Sequence, residues 1–186
     1  MPSFTKKAMI ESFLTLLSRK PLEKITVRDI VDDCGINRNT FYYYFQDTYA
    51  VVEELCRMAE EKIPTDDTLG ASLSSFFLTL ADFAAAHPRA VRRLLASVGR
   101  DGVERYFGDT VERIAIDCLT RAAGRPLQQD ALALPVTALC HAFLGTCVDW
   151  ILADTKTEAP LFAARVCRLL DLYGGAILTE LSDKNR

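Results

Sequence analysis

The chain has 186 residues, 49% of them hydrophobic and 25% charged, a balance that suits one large globular domain or a small one joined to a larger. A formal net charge of −3 counts mildly against a nucleic-acid binder, which usually carries a basic face, and the asymmetry is small: residues 1–50 hold seven Lys/Arg against six Asp/Glu, leaving −4 for the remainder. The six cysteines, at 34, 56, 118, 140, 147 and 167, show no C-x-x-C pairing and mostly sit in apolar runs, as reduced thiols of a cytosolic protein do.

Taken in order, the elements are helical throughout. A helix is predicted from about Thr5 to Ser18, with Ile10, Phe13, Leu14 and Leu17 on one face, followed by a polar connector broken by Pro21. Thr26 is a good N-cap with Asp29 three residues on, a capping-box start for a helix that Gly35 ends. Asn37 caps a short helix running through Phe45, and another covers about Thr48 to Lys62. The polar stretch Ile63–Gly70 separates the two parts of the chain. Beyond it, helices are expected at about 72–86, 88–98, 101–123, 131–154 and 160–182, divided by His87-Pro88, Gly99, Gly124-Arg125-Pro126 and residues 155–159. Pro135 lies too deep for a first-turn proline, so its helix either starts near Leu134 or kinks there. No basic-plus-apolar leader opens the chain, so no signal peptide is expected. Ala131 to Val148 is uncharged and nearly long enough to span a bilayer. It lacks flanking Lys/Arg and contains Pro135 and His141, which reads better as a helix buried in a bundle.

Two short helices joined by a tight glycine turn form a helix-turn-helix pattern. Phe41 and Phe45 are four residues apart and set the inward face of the second helix. At about 100° per residue Tyr43 then points nearly opposite, with Asn39 and Thr40 to either side, placed to meet base edges. Tyr42 and Tyr44 flank this face, where a phenol reaches backbone phosphate. Arg38 near the positive helix end and Arg28 on the preceding helix are further phosphate candidates. Three consecutive tyrosines cannot all face one core, so at least one is exposed.

The run from Thr26 through Asp47, TVRDIVDDCGINRNTFYYYFQD, resembles the DNA-binding signature of the TetR family of bacterial regulators, over about residues 5–55. The resemblance implies an all-α homodimer: a three-helix helix-turn-helix domain over residues 1–50 and a helical effector-binding and dimerisation domain over 51–186. It implies double-stranded operator DNA of palindromic form, a small-molecule effector, the bacterial cytoplasm, and usually repression. The family's DNA contacts transfer to Thr26, Arg28, Arg38, Asn39, Thr40, Tyr42, Tyr43 and Tyr44. Where the family usually has a phosphate-binding lysine this chain has Thr48, which keeps a hydroxyl and loses a charge, so a shallower salt dependence is expected.

In the second part, the last helix is apolar on most of its circumference. Val166, Leu169, Leu170, Tyr173 and Ile177 make one face and Gly174 allows close approach, so these six are the expected dimer contacts, paired with the 131–154 helix into a four-helix interface. Phe83, His87, Phe107, His141 and Trp150 are the expected effector contacts. Neither a cofactor nor a metal is expected: Cys140 and His141 are adjacent and point about 100° apart. Nor is membrane association, or catalysis, since no nucleophile elbow, phosphate loop or paired carboxylate appears. The alternative to a small-molecule effector is control by a protein partner, which predicts a filled core.

Overall fold

A computed structural model describes residues 4–61, 68–153 and 157–183, all of them helical or in short connections. Of the expected linkers at 63–70 and 155–159, residues 63–67 and 155–156 lie outside the described residues, and α5 and α8 already begin at Leu69 and Ala159. Helix α1 spans Phe4–Leu17, and a single 3-10 turn at Leu22–Lys24 follows the connector. Next come α2 (Val27–Cys34), α3 (Arg38–Tyr44) and α4 (Thr48–Glu60). The second part consists of α5 (Leu69–Ala86), α6 (Pro88–Ala123), α7 (Gln129–Leu152) and α8 (Ala159–Asp183).

Local chemistry accounts for the short helices. At the start of α2 the Thr26 hydroxyl accepts from the Asp29 N–H at 3.2 Å while the Asp29 carboxylate accepts from the Thr26 N–H at 2.7 Å, satisfying donors that a helix start otherwise leaves open. Gly35 closes α2 with φ 67° and ψ 31°, the left-handed region that only glycine enters freely. The Asn37 side-chain oxygen caps α3 by accepting from the Thr40 N–H at 2.8 Å, and the Asp47 carboxylate caps α4 by accepting from the Ala50 N–H at 2.9 Å. All three starts are contacts between residues three apart and need no tertiary contact, and the sequence reading marks two of them, at Thr26 and Asn37.

The first four helices share one core. Met9, Phe13 and Leu17 of α1 pack with Ile30 of α2, Phe41 of α3 and Val51 of α4, all fully buried. Phe41 and Phe45 meet at 5.7 Å between ring centres, as their four-residue spacing requires. A second core fills the space among α5 to α8 around Leu73, Phe76, Phe77, Val111, Leu119 and Leu144. In it α5 packs chiefly on α8 and α6 on α7. Both α5 and α7 are long and apolar enough to cross a membrane, yet each has neighbours along its length and presents part of its surface to them as core.

Two sequence expectations about α6 and α7 resolve into one finding each. The helices expected at 88–98 and 101–123 form a single element broken at Gly99, whose φ 66° and ψ −172° are open essentially to glycine alone. No atom lies within 4 Å of where a Gly99 side chain would stand, so the residue is required by backbone conformation and not by crowding. Helix α7 does not start at Leu134: it begins at Gln129 and carries Pro135 inside it.

The two parts are joined by α4 and by the first half of α6. Glu60, in the last turn of α4, accepts from the Thr110 hydroxyl and lies 3.7 Å from the Arg113 guanidinium, both on α6. At the other side Ser97 of α6 accepts from the Leu22 N–H at 3.3 Å and donates to Glu23 at 3.3 Å, while Ala90 enters the core of the first part.

The broad apolar circumference of α8 sorts into two faces. Val166, Leu170, Gly174 and Ile177, expected at a dimer contact, are turned into the chain's own core. Their physical partner is α5: Leu69 Cδ2 stands 3.2 Å from a Cβ placed at Gly174, and Ser74 donates to the Ala163 carbonyl at 3.1 Å. Leu169 and Tyr173 remain outside with Leu172, which the sequence reading passed over.

Candidate nucleic-acid interface

Burial of Phe41 and Phe45 turns the rest of α3 outward. Tyr43 is 81% exposed and Tyr42 56%, whereas Tyr44 is half-buried and stacks edge-on against Tyr43 with ring centres 4.9 Å apart. Arg38 and Asn39 are exposed, and Thr40 is half-buried. The segment thus presents Arg38, Asn39, Tyr42 and Tyr43 to solvent on one short helix held from behind by aromatic packing. Large aromatic side chains held at this exposure are costly to hydrate, and on a short helix with a cationic and an amide neighbour they suit the edges and phosphates of a duplex.

The threonines are engaged differently from what their sequence positions imply. The Thr26 hydroxyl donates to the Asp29 carboxylate at 2.6 Å, so while the capping box stands it has no proton left for a phosphate. The Thr40 hydroxyl lies 3.0 Å from the Asn37 side-chain oxygen and donates to it. Thr48, expected to offer its hydroxyl to phosphate, is buried at the first turn of α4, because the α4 start folds back onto the core that holds Val51 and Val52. Its neighbour Tyr49 is 46% exposed and takes the outward position instead, a residue that the sequence reading missed and that only the phase of α4 reveals. Arg28 is exposed but pairs with Asp32 at 3.3 Å on its own helix. That surface pair is worth little and opens readily in favour of a phosphate.

Among the ionisable groups of this region Asp29 is the most perturbed. The Lys20 ammonium at 2.7 Å and the two Thr26 hydrogen bonds hold its carboxyl down at about 2. The capping carboxylate is therefore charged at any pH at which the protein works.

A cavity of about 530 Å³ lies where the two parts of the chain meet, walled by α1, α4, α5, α6 and α7. Three of the expected effector residues separate from two others here. Phe83, His87 and Phe107 line the cavity. Trp150 does not: it stacks on Phe77 at 5.1 Å and Phe162 at 5.8 Å and donates its indole N–H to the Thr157 carbonyl at 2.9 Å. His141 is exposed on α7, with Nδ1 3.5 Å from the Glu104 carboxylate, since the apolar sequence around it belongs to two different faces of that helix.

Burial pushes the Cys56 and Cys147 thiols up to about 12 and that of Cys140 to about 11. None of the three is a thiolate at neutral pH, so each behaves as a small apolar residue. Among the described residues no cluster of three metal-binding side chains occurs.

Residues 10–55 match the sequence model of a family described as bacterial regulatory proteins, tetR family. No curated protein matches the chain by sequence. Several solved structures share its fold over nearly their whole length. The dihydroxyacetone kinase operon activator DhaS superposes with a TM-score of 0.65 at 15% identity, over 96% of this chain and 97% of its own. A tetR-family transcriptional regulator from Streptomyces coelicolor gives 0.61 at 20%, over 95% and 90%. The TetR family repressor AlkX from Dietzia sp. gives 0.54 at 13%, over 93% and 96%.

Proposed function

From the premise that this chain carries, in residues 10–55, the DNA-binding domain of the TetR family, we propose that it is a ligand-responsive repressor that binds a palindromic operator as a homodimer. The observation that carries the reading is the outward face of α3, with Tyr43 81% exposed beside Asn39 and Arg38 while Phe41 is fully buried behind them. In this division residues 1–50 read DNA and residues 51–186 dimerise and sense. Tyr43 and Asn39 meet base edges in the major groove. Arg38, Arg28 and Tyr42 fix the register on phosphates, with Tyr49 in the place first given to Thr48. Thr26, Thr40 and Tyr44 hold this surface in shape and reach DNA at most from its rim.

The cavity supports a small-molecule effector over a protein partner, which has no need of 530 Å³ left unfilled. Occupancy would alter the spacing of the two reading heads, and because tight binding needs both half-sites a small movement releases the operator. The fold does not set the sign of regulation: among similar structures one is an operon activator and another a repressor.

Selection of binding fragments from genomic DNA, followed by gel shifts of the recovered sites at low and moderate salt, tests the reading. A two-fold symmetric motif is the expected outcome. Binding of every duplex alike would defeat it. A promoter fused to a reporter, with and without the regulator, then gives the sign.

A further inference from the structure

We infer that the cavity between the two parts of the chain takes an uncharged, apolar small molecule that rests directly against the DNA-reading domain. This builds on the reading of the chain as a ligand-responsive regulator and names the chemistry of its ligand. At about 530 Å³ the space falls within the range of pockets that enclose drug-sized ligands.

The distribution of charge around it is one-sided. The lining residues with formal charge are Lys7, Glu11 and Asp82, on α1 and the far half of α5, and all three are exposed. With His87 they form the rim, which a shallower depression sharing Glu11 and His87 continues outward. The lining contributed by α4, α6 and α7 contains no charged side chain at all. A charged group carried inward would lose its hydration and find no counter-charge. Cys56 and Cys147, which belong to this inner wall, register the same penalty: burial alone, or burial first, pushes both thiols up to about 12. At the rim opposite charges stand together, so a neutral polar end is accommodated there and a strongly ionic one is not favoured in either sign.

The wall that makes the site regulatory is α1. Ile10 and Leu14 line the cavity, and the same helix sends Phe13 and Leu17 into the core that positions α3. The lining also includes Leu94 and Val98 on the first half of α6, the segment that packs on α1 and holds the Leu22–Lys24 turn through Ser97. An occupant therefore presses on both supports of the reading domain without an intervening relay, and Gly99 marks the point at which that half of α6 is jointed to the rest.

Two fluorescent probes with the same aromatic skeleton separate the alternatives: phenylnaphthylamine, which is neutral, and anilinonaphthalene sulfonate, which is anionic. Titrated into the full-length protein, phenylnaphthylamine should bind at one site per chain and roughly tenfold or more tighter than the sulfonate, the discrimination expected for an unpaired charge. Leu94→Phe and Leu144→Phe, which fill the cavity from two helices, should each weaken the neutral probe by about tenfold or more. Leu14→Ala, checked for folding by circular dichroism, should weaken it as well. Equal binding of the sulfonate overturns the inference, as does neutral-probe binding unmoved in both phenylalanine variants. An affinity unchanged in Leu14→Ala removes α1 from the site and overturns the direct contact. A gel shift on the same samples keeps the two readings apart. Protein that binds operator but not the neutral probe sinks the ligand class alone. Protein that binds the probe but no DNA sinks the regulator reading.

Discussion

Replacing Tyr42 by phenylalanine removes one hydroxyl from a ring that is 56% exposed and already braced edge-on by Phe41 at 5.7 Å, so the fold should not notice. Binding to every DNA sequence should weaken alike, by about 1 kcal/mol for one lost phosphate hydrogen bond. Tyr43→Ala should instead change which bases are preferred at one position of each half-site. Identical gel-shift profiles for the two variants would show that the faces of α3 have been assigned wrongly. At Thr26 the cost is structural: Thr26→Ala should lower stability by about 1 kcal/mol in a denaturant titration, through loss of the capping hydroxyl. Its partner Asp29 adds a pH signature. The folded-state pKa is lowered from 3.8 to about 2, chiefly by Lys20 and Thr26. The contribution is therefore complete above about pH 4 and lost as pH falls towards 2. The stability gap between the protein and its Asp29→Asn variant should close over that window; a gap constant from neutrality down to pH 2 would refute the assignment. These caps were legible in the sequence because each is a contact between neighbours three residues apart. The use of the Thr26 hydroxyl was not, since a cap and a phosphate ligand call for the same residue in the same place.

The helices themselves illustrate where sequence patterns stop. Glycine at 35 and 99 and proline at 88 announce backbone breaks, and each falls where the chain turns or kinks. Apolar runs say only that a helix is covered, never by what. In α8 four residues of one stripe, Val166, Leu170, Gly174 and Ile177, pack against the chain's own helices, while Leu169 and Leu172 one step round are 66% and 67% exposed. In α7 the same ambiguity put His141 inside a bundle when it stands on the surface beside Glu104. The cavity was half legible for this reason: Phe83, His87 and Phe107 could be named as aromatic candidates, but Ile10 and Leu14 belong to it only because α1 packs against α6. At the kink, Gly99→Ala should destabilise by about 1–3 kcal/mol from backbone strain alone, since its Cβ would meet no atom within 4 Å. An unchanged melting temperature would mean that α6 straightens without penalty, and that the joint is dispensable.

At the scale of the whole molecule, the exposed large apolar side chains among the described residues beyond residue 50, namely Leu134, Leu152, Leu161, Leu169, Leu172 and Tyr173, all stand on α7 and α8, and they argue for a second subunit. Leu169, Leu172, Tyr173 and Ala176 follow one another at helical spacing along α8, and the Tyr173 hydroxyl donates to the Pro135 carbonyl at 3.3 Å, bringing α7 alongside. Next to that carbonyl Leu134 is 79% exposed. A monomer gains nothing from such a surface, whereas two copies related by a two-fold axis bury it. Leu169→Glu combined with Leu172→Glu should yield a monomer by light scattering, with operator affinity reduced by at least about a hundredfold as the two half-sites lose their linkage. A dimer that survives both substitutions would place the interface elsewhere. The single tryptophan of the chain has a practical bearing on all these measurements. Trp150 sits wholly within the α5–α8 bundle, wedged between Phe77 and Phe162 and tethered to the start of α8, while the reading head holds four tyrosines and no indole. Indole emission thus reports melting of one end of the molecule only, and far-ultraviolet dichroism reports both. Any lag between the two curves reads directly as the difference in cohesion between the α5–α8 bundle and the helix-turn-helix end.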